Sequence, residues 1–342
     1  MWARLIASSL ALSALMSALG LPAAWLLGPL LVGAVFGARG TSARVAKPVT
    51  IVAQATLGTF LSTNLTPAVL TEVVQRWPVV LSGALGVVLA SAALGWALAK
   101  WQVLPGSTAV WGTAPGAAPA MVVMAEAFGA DARLVALMQY TRVALVVATA
   151  ALVARLSGVA VPRPHFDAVD WLGLGVAALV VGAGALAGLK SRVPAGALLL
   201  PMVTGVLVAH VGLKVQVPMP VVAVAASVLG LGIGLSFTRQ ALVHAAALLP
   251  RIVASIVALM LLCAGLALGL SRVLDVDFFT LWLATSPGGI DTVALIATAT
   301  HADVSLVIAL QATRFVLVMV LGPVLSRFVA RRTAGEAGRR PG

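Results

Sequence analysis

Two short segments of this chain place hydroxyl groups around a Pro-Gly pair inside apolar sequence: Thr113-Ala114-Pro115-Gly116 and Thr285-Ser286-Pro287-Gly288-Gly289-Ile290-Asp291-Thr292. Proline removes a backbone donor and glycine loosens the chain, so a helix running into either segment must break there. In an apolar setting such an unwound stretch is tolerated only where protein or a water-filled cavity satisfies its backbone. The second break would also expose the N-terminus of a half-helix, whose free N–H groups and partial positive charge suit an anion. On this reading Thr113, Pro115, Gly116, Thr285, Ser286, Gly288, Gly289, Asp291 and Thr292 line a small-molecule site. The alternative is a pair of kinks, with Asp291 capping its own helix.

The two breaks are unequal. Pro119 and Ala120 stand in the first where Asp291 and Thr292 stand in the second. We therefore expect the second to supply the acidic group and the first mainly to supply shape.

Arg142 and Arg314 lie some ten residues into apolar runs, hence about 16 Å from the helix start. At the middle of a bilayer each would cost ~2.5–3.5 kcal/mol or more, so each needs a partner. Gln139 and Gln311 precede them by one helical turn and share their faces. Asp291, Glu126 and the carbonyls freed by the breaks are the candidate partners, whereas Asp131 and Asp303 stand just before their helices and read as N-caps. Gln139, Arg142, Gln311, Arg314 and Glu126 form a buried polar or ion-coupling set. Two roles stay open for the arginines, direct contact with a ligand and a structural clasp on the broken segment.

Enzyme chemistry finds no foothold. His165, His210, His244 and His301 are scattered without metal-ligand spacing, and the single Cys263 sits within an apolar run. No Ser/His/Asp arrangement, phosphate-cradling loop or GxGxxG element is present, so no catalytic residue, metal or cofactor is assigned.

The elements that would carry these groups repeat. The interval from Pro115 to Pro287 that separates the two Pro-Gly pairs also sets Asp131 on Asp303, Gln139 on Gln311, Arg142 on Arg314, Pro22 on Pro194 and Gly58 on Gly230. Apolar segments at 2–20, 22–38, 48–65, 78–100, 107–129 and 132–156 recur at 171–189, 194–212, 219–237, 249–273, 277–300 and 304–329. The expected organisation is a membrane repeat over 1–156, a polar Pro-containing linker over 157–170, a second repeat over 171–329 and a basic cytoplasmic tail over 330–342. The opening stretch resembles a signal peptide, but its counterpart at Leu172 to Arg192 makes it a first span.

Composition sets the class. Hydrophobic residues make up 61% of the 342 and charged residues 9%, with a mean hydropathy of +1.10; a soluble domain carries roughly 25% charged residues. The runs of about 20 apolar residues are long enough to cross a ~30 Å hydrocarbon core. The expected fold is all-α and integral to the membrane, with two tandem repeats of five or six transmembrane helices, each containing one discontinuous or re-entrant helix. Counting Lys and Arg by side favours inverted over parallel repeats by a single residue, and inverted repeats with broken helices are a common transporter plan. The net charge of +12 lies in short loops and in a tail with Arg327, Arg331, Arg332, Arg339 and Arg340. That distribution reads as topology determinants that stay cytoplasmic, and not as a nucleic-acid surface.

Leu21 to Pro29 (LPAAWLLGP), Gln54-x-x-x-Gly58, the Thr-x-Pro-Gly breaks and the paired Gln-x-Thr-Arg resemble the AbrB-type duplicated bacterial membrane family over nearly the whole chain. Its members carry the labels of AbrB family transcriptional regulator or ammonia monooxygenase. The family is grouped with cation:proton antiporter and anion-transporter-like proteins. The resemblance and the breaks together imply a multi-pass inner-membrane secondary transporter or exporter of a small anionic or zwitterionic solute. It would be coupled to H+ or Na+, have its site at the midplane and bind no nucleic acid; the sequence leaves the oligomeric state open, a homodimer among the choices. The other reading is a membrane-embedded regulatory protein that affects gene expression indirectly.

Overall fold

The computed structural model describes every residue except 20, 22, 105, 157–169, 192, 290–292, 294–296, 298–301 and 338–342. Among the described residues the regular elements are helices: α1 (Trp2–Ala18), α2 (Ala24–Ala38), α3 (Lys47–Ser62), α4 (Pro67–Gln75), α5 (Trp77–Lys100), α6 (Gly106–Thr113), α7 (Ala118–Ala127), α8 (Ala132–Leu156), α9 (Trp171–Lys190), α10 (Gly196–His210), α11 (Met219–Leu235), α12 (Arg239–Val273), α13 (Phe278–Thr285) and α14 (Val304–Ala337).

Local chemistry marks the helix starts. α3, α5, α7 and α11 each carry proline in the first turn, where its missing N–H costs nothing and its φ is already helical. α2 and α10 start from left-handed alanines, Ala23 at φ 53° and Ala195 at φ 54°, which reverse the chain within apolar sequence. Asp170 caps α9 by accepting the Leu172 N–H, and Asp277 caps α13 by accepting the Thr280 N–H.

The helices divide into two compact units, residues 1–67 with 166–247 and residues 68–165 with 248–342. The units are not the two halves of the sequence, because each takes helices from both. In the first unit α2 packs on α11 and α3 on α10, pairing a helix from one half with a helix from the other. Two glycines make these pairings possible. A Cβ on Gly58 would stand 2.1 Å from the Leu198 carbonyl oxygen, and one on Gly230 would stand 2.2 Å from that of Leu26. The repeat interval relates the two glycines to each other, and it also relates the two leucines whose carbonyls they meet. Leu5, Val32, Ala43 and Leu235 form a buried cluster of this unit. In the second unit α14 packs on α5, α6 and α13, and α8 packs on α6 and α7. Its core includes Ala84, Leu283, Ala284, Val307 and Leu310.

The expected set of five or six membrane-crossing helices in each repeat is not what the structure contains. Among the described residues four helices are long and apolar enough to cross a membrane, Trp77–Lys100, Trp171–Lys190, Arg239–Val273 and Val304–Val329. α2 and α10 have 15 residues each, hence a length of about 22 Å against a core of ~30 Å. The expected segments 22–38 and 194–212 are already short, and α2 and α10 start two residues later still, after the left-handed Ala23 and Ala195. α4 is a short helix where the hydropathy pattern has only a connection.

Candidate functional site

Both Pro-Gly segments interrupt helices of the second unit. α6 ends at Thr113 and α7 begins at Ala118; α13 ends at Thr285. An α-helical carbonyl is normally met by the N–H four residues on. The position four after Trp111 is Pro115 and the position four after Leu283 is Pro287, so neither carbonyl has that donor. Side chains from α8 and α14 take its place. Gln139 Nε2 donates to Trp111 O at 2.8 Å and to Ala114 O at 3.0 Å, and Gln311 Nε2 donates to Leu283 O at 3.1 Å and to Ser286 O at 3.3 Å.

The arginines complete each cap. Arg142 donates from Nη1 to Ala114 O at 2.9 Å, and from Nη2 to Gly116 O at 3.3 Å and to Gln139 Oε1. Arg314 donates from Nη1 to Ser286 O at 2.6 Å, and from Nη2 to Gly288 O at 3.0 Å and to Gln311 Oε1 at 2.6 Å. A cation at the C-terminal end of a helix also meets the negative end of its dipole. Gln139 and Gln311 are 0% exposed, Arg142 1% and Arg314 2%. Of the partners considered for the arginines, the structure therefore brings the freed carbonyls to them, while Glu126 is exposed at the surface. Asp291 and Thr292, with His301, lie outside the described residues, as does His165.

The threonines tether the breaks sideways. Thr113 Oγ1 reaches Ser91 O on α5 at 3.0 Å, and Thr285 Oγ1 reaches Cys263 O on α12 at 3.3 Å. Pro115, Gly116, Ser286 and Gly288 are buried and Gly289 is half-buried. A second pair of hydroxyls was not picked out from sequence. Thr108 Oγ1 accepts the Asp131 N–H at 3.1 Å, and Thr280 Oγ1 accepts the Asp303 N–H at 3.1 Å. The repeat interval links these two threonines as well and would have exposed them.

The two aspartates differ. Asp131 accepts the Arg133 N–H and pairs with the Arg133 side chain at 3.0 Å within its own helix start. Asp303 accepts the Leu306 N–H at 3.1 Å and forms an ion pair with Arg76, which also pairs with Glu72 at 3.0 Å. Partial burial pushes the Asp303 carboxyl up, but the hydrogen bonds and charge it meets, including those of Arg76, hold it below the ordinary 3.8.

Two matched caps on two broken helices bury guanidinium and amide groups where backbone would otherwise be unsatisfied. Among the described residues no group of three or more His, Cys, Asp or Glu side chains is placed to hold a metal. Residues 25–330 match the family described as Transition state regulatory protein AbrB. The chain belongs to that family. It is also similar to "Putative regulator AbrB" of Escherichia coli (strain K12), with 42% identity over 336 residues, 96% of each chain. No solved structure matches it.

These similarities overturn several expectations. The family and the relative are named as regulators, so the link to antiporter and anion-transporter-like membrane proteins does not hold, nor does ion-coupled transport of a solute. The small solute and the H+ or Na+ partner fall with it. The inner-membrane placement with a cytoplasmic C-terminus and a lipid partner, drawn from the transporter reading, is withdrawn on the same finding; four of the described helices are nonetheless long and apolar enough to cross a membrane. The exclusion of nucleic acid, which rested on basic residues spread over loops and tail with no DNA-reading helix, is likewise withdrawn, because the family and the relative are named as regulators. Both the family description and the relative's name speak of a regulator, and neither names an enzymatic activity.

Proposed function

We propose that this AbrB-family protein regulates gene expression, and that its basic C-terminal segment is the surface it offers to a polyanionic partner. The observation that carries the reading is 42% identity, across 96% of both chains, to a protein named as a regulator. Charge supports the second part: the chain has a net charge of +12, and Arg327, Arg331, Arg332, Arg339 and Arg340 crowd its C-terminal end. A concentrated positive charge raises the local concentration of nucleic acid or another polyanion and speeds encounter. The paired Gln–Arg caps hold the helical body that carries this segment.

Transcript profiling of a deletion strain, complemented with the full chain or with a chain ending at residue 330, tests this reading. A defined set of transcripts should change on deletion, return with the full chain and stay altered with the truncated one. An unchanged transcript profile on deletion would sink the regulatory reading. Full rescue by the truncated chain would remove the basic segment from it.

A further inference from the structure

The second unit buries two full positive charges with no described carboxylate on either. The ion pairs among the described residues involve Arg76 and Arg133, not Arg142 or Arg314. Carbonyl oxygens and the two glutamines take the Nη donors, but dipoles of this kind leave the unit charges uncompensated, and a buried uncompensated charge is costly. Three buried donors also lack partners: Arg142 Nε, Arg314 Nε and Ser286 Oγ, on side chains that are 1%, 2% and 8% exposed.

The two caps adjoin. Gly288, whose carbonyl takes Arg314 Nη2, lies against Val146, one helical turn beyond Arg142; a Cβ on Gly288 would stand 2.9 Å from Val146 Cγ1. Among the described residues, what these donors lack is a negatively charged acceptor that offers no donor of its own. Water would satisfy the three donors but leave the charge. Buried N–H and O–H donors of this kind suit a single-atom anion, which accepts from any direction.

We propose that the second unit holds a small monovalent inorganic anion of halide size between Arg142 and Arg314, with Ser286 Oγ as a further donor. The anion site stands on the cap geometry and does not depend on the regulatory reading. Binding to the folded state alone makes thermal stability depend on anion concentration.

The test is the melting temperature of the purified full-length chain in sodium chloride, sodium bromide or sodium gluconate at one fixed ionic strength. A saturable rise of about 3 °C or more in chloride and bromide over gluconate is expected. Arg142→Gln and Arg314→Gln should each abolish that difference. Because these two variants also lose cap hydrogen bonds that folding needs, Ser286→Ala serves as a milder probe. Its Oγ has no partner to lose, so stability in gluconate should hold while the halide concentration for half effect rises about fivefold. No halide dependence in the wild-type chain overturns the proposal. Equal dependence in the wild-type chain and Ser286→Ala, or dependence that emerges only in Asp291→Asn, also overturns it, the last because a carboxylate would then hold the place.

Discussion

Gln139 Nε2 donates to the Trp111 carbonyl at 2.8 Å, the acceptor that Pro115 leaves without its helical donor. Gln311 stands in the same relation to Leu283 and Pro287 at 3.1 Å. Proline and glutamine thus form one device although the whole of α7 lies between Pro115 and Gln139 in the sequence.

Replacing Gln139 with leucine keeps the volume but removes the donor, leaving the Trp111 carbonyl buried and unmet. We expect a loss of about 1–3 kcal/mol, the cost of one such orphan. Adding Pro115→Ala should recover part of it, because alanine restores the N–H four residues on. Denaturant unfolding of both single variants and the double variant measures this coupling, and strictly additive losses would refute it.

Arg314 spans Ser286 O, Gly288 O and Gln311 Oε1 with a planar fork. Lysine keeps the charge but cannot reach three acceptors in that geometry. Arg314→Lys should therefore lose about as much stability as Arg314→Gln, to within about 1 kcal/mol of the orphaned-acceptor cost. A lysine variant as stable as the wild-type chain would show that charge, and not the fork, is what the cap needs.

Gly58 and Gly230 admit the Leu198 and Leu26 carbonyls at distances that no Cβ permits, 2.1 and 2.2 Å. Alanine at either position must push backbone aside, for an expected cost of about 1–3 kcal/mol. Gly175→Ala, which meets nothing within 4 Å in α9, should instead be neutral or stabilising by up to about 1 kcal/mol. Melting temperatures of the three variants should separate them cleanly.

Asp303 titrates below its ordinary value of 3.8 in the folded chain. Its contribution is therefore present above that value and lost as pH falls through the lower folded value. Between pH 6 and 3 the wild-type melting temperature should fall more steeply than that of Asp303→Asn, with the two curves converging at the acid end. Parallel curves would mean that the Arg76 pair adds nothing to stability, the usual outcome for an exposed ion pair.

Much of the local device was legible in the sequence. Pro115 and Pro287 dictate where helices must stop, and the Gln-x-x-Arg stripes one turn apart dictate that amide and guanidinium share a face. The constant repeat interval also relates Thr108 to Thr280, whose matched bonds the reading of the sequence did not single out. These are statements about neighbours along the chain, which backbone sterics and helical periodicity decide without reference to the rest of the molecule.

Tertiary structure decided the rest. Whether Arg142 met a carboxylate or a carbonyl depended on which backbone the fold carried to it, and the oxygens of Ala114 and Gly116 arrived while Glu126 faced outward. Hydropathy placed the starts of α2 and α10 to within two residues, but it records how apolar a residue is and not its φ, so the left-handed conformations of Ala23 and Ala195 were not legible. The pairing of α2 with α11 and α3 with α10 came from glycine contacts between distant segments. A sequence specifies the groups that need partners; only the packed chain determines which partners come within hydrogen-bonding distance.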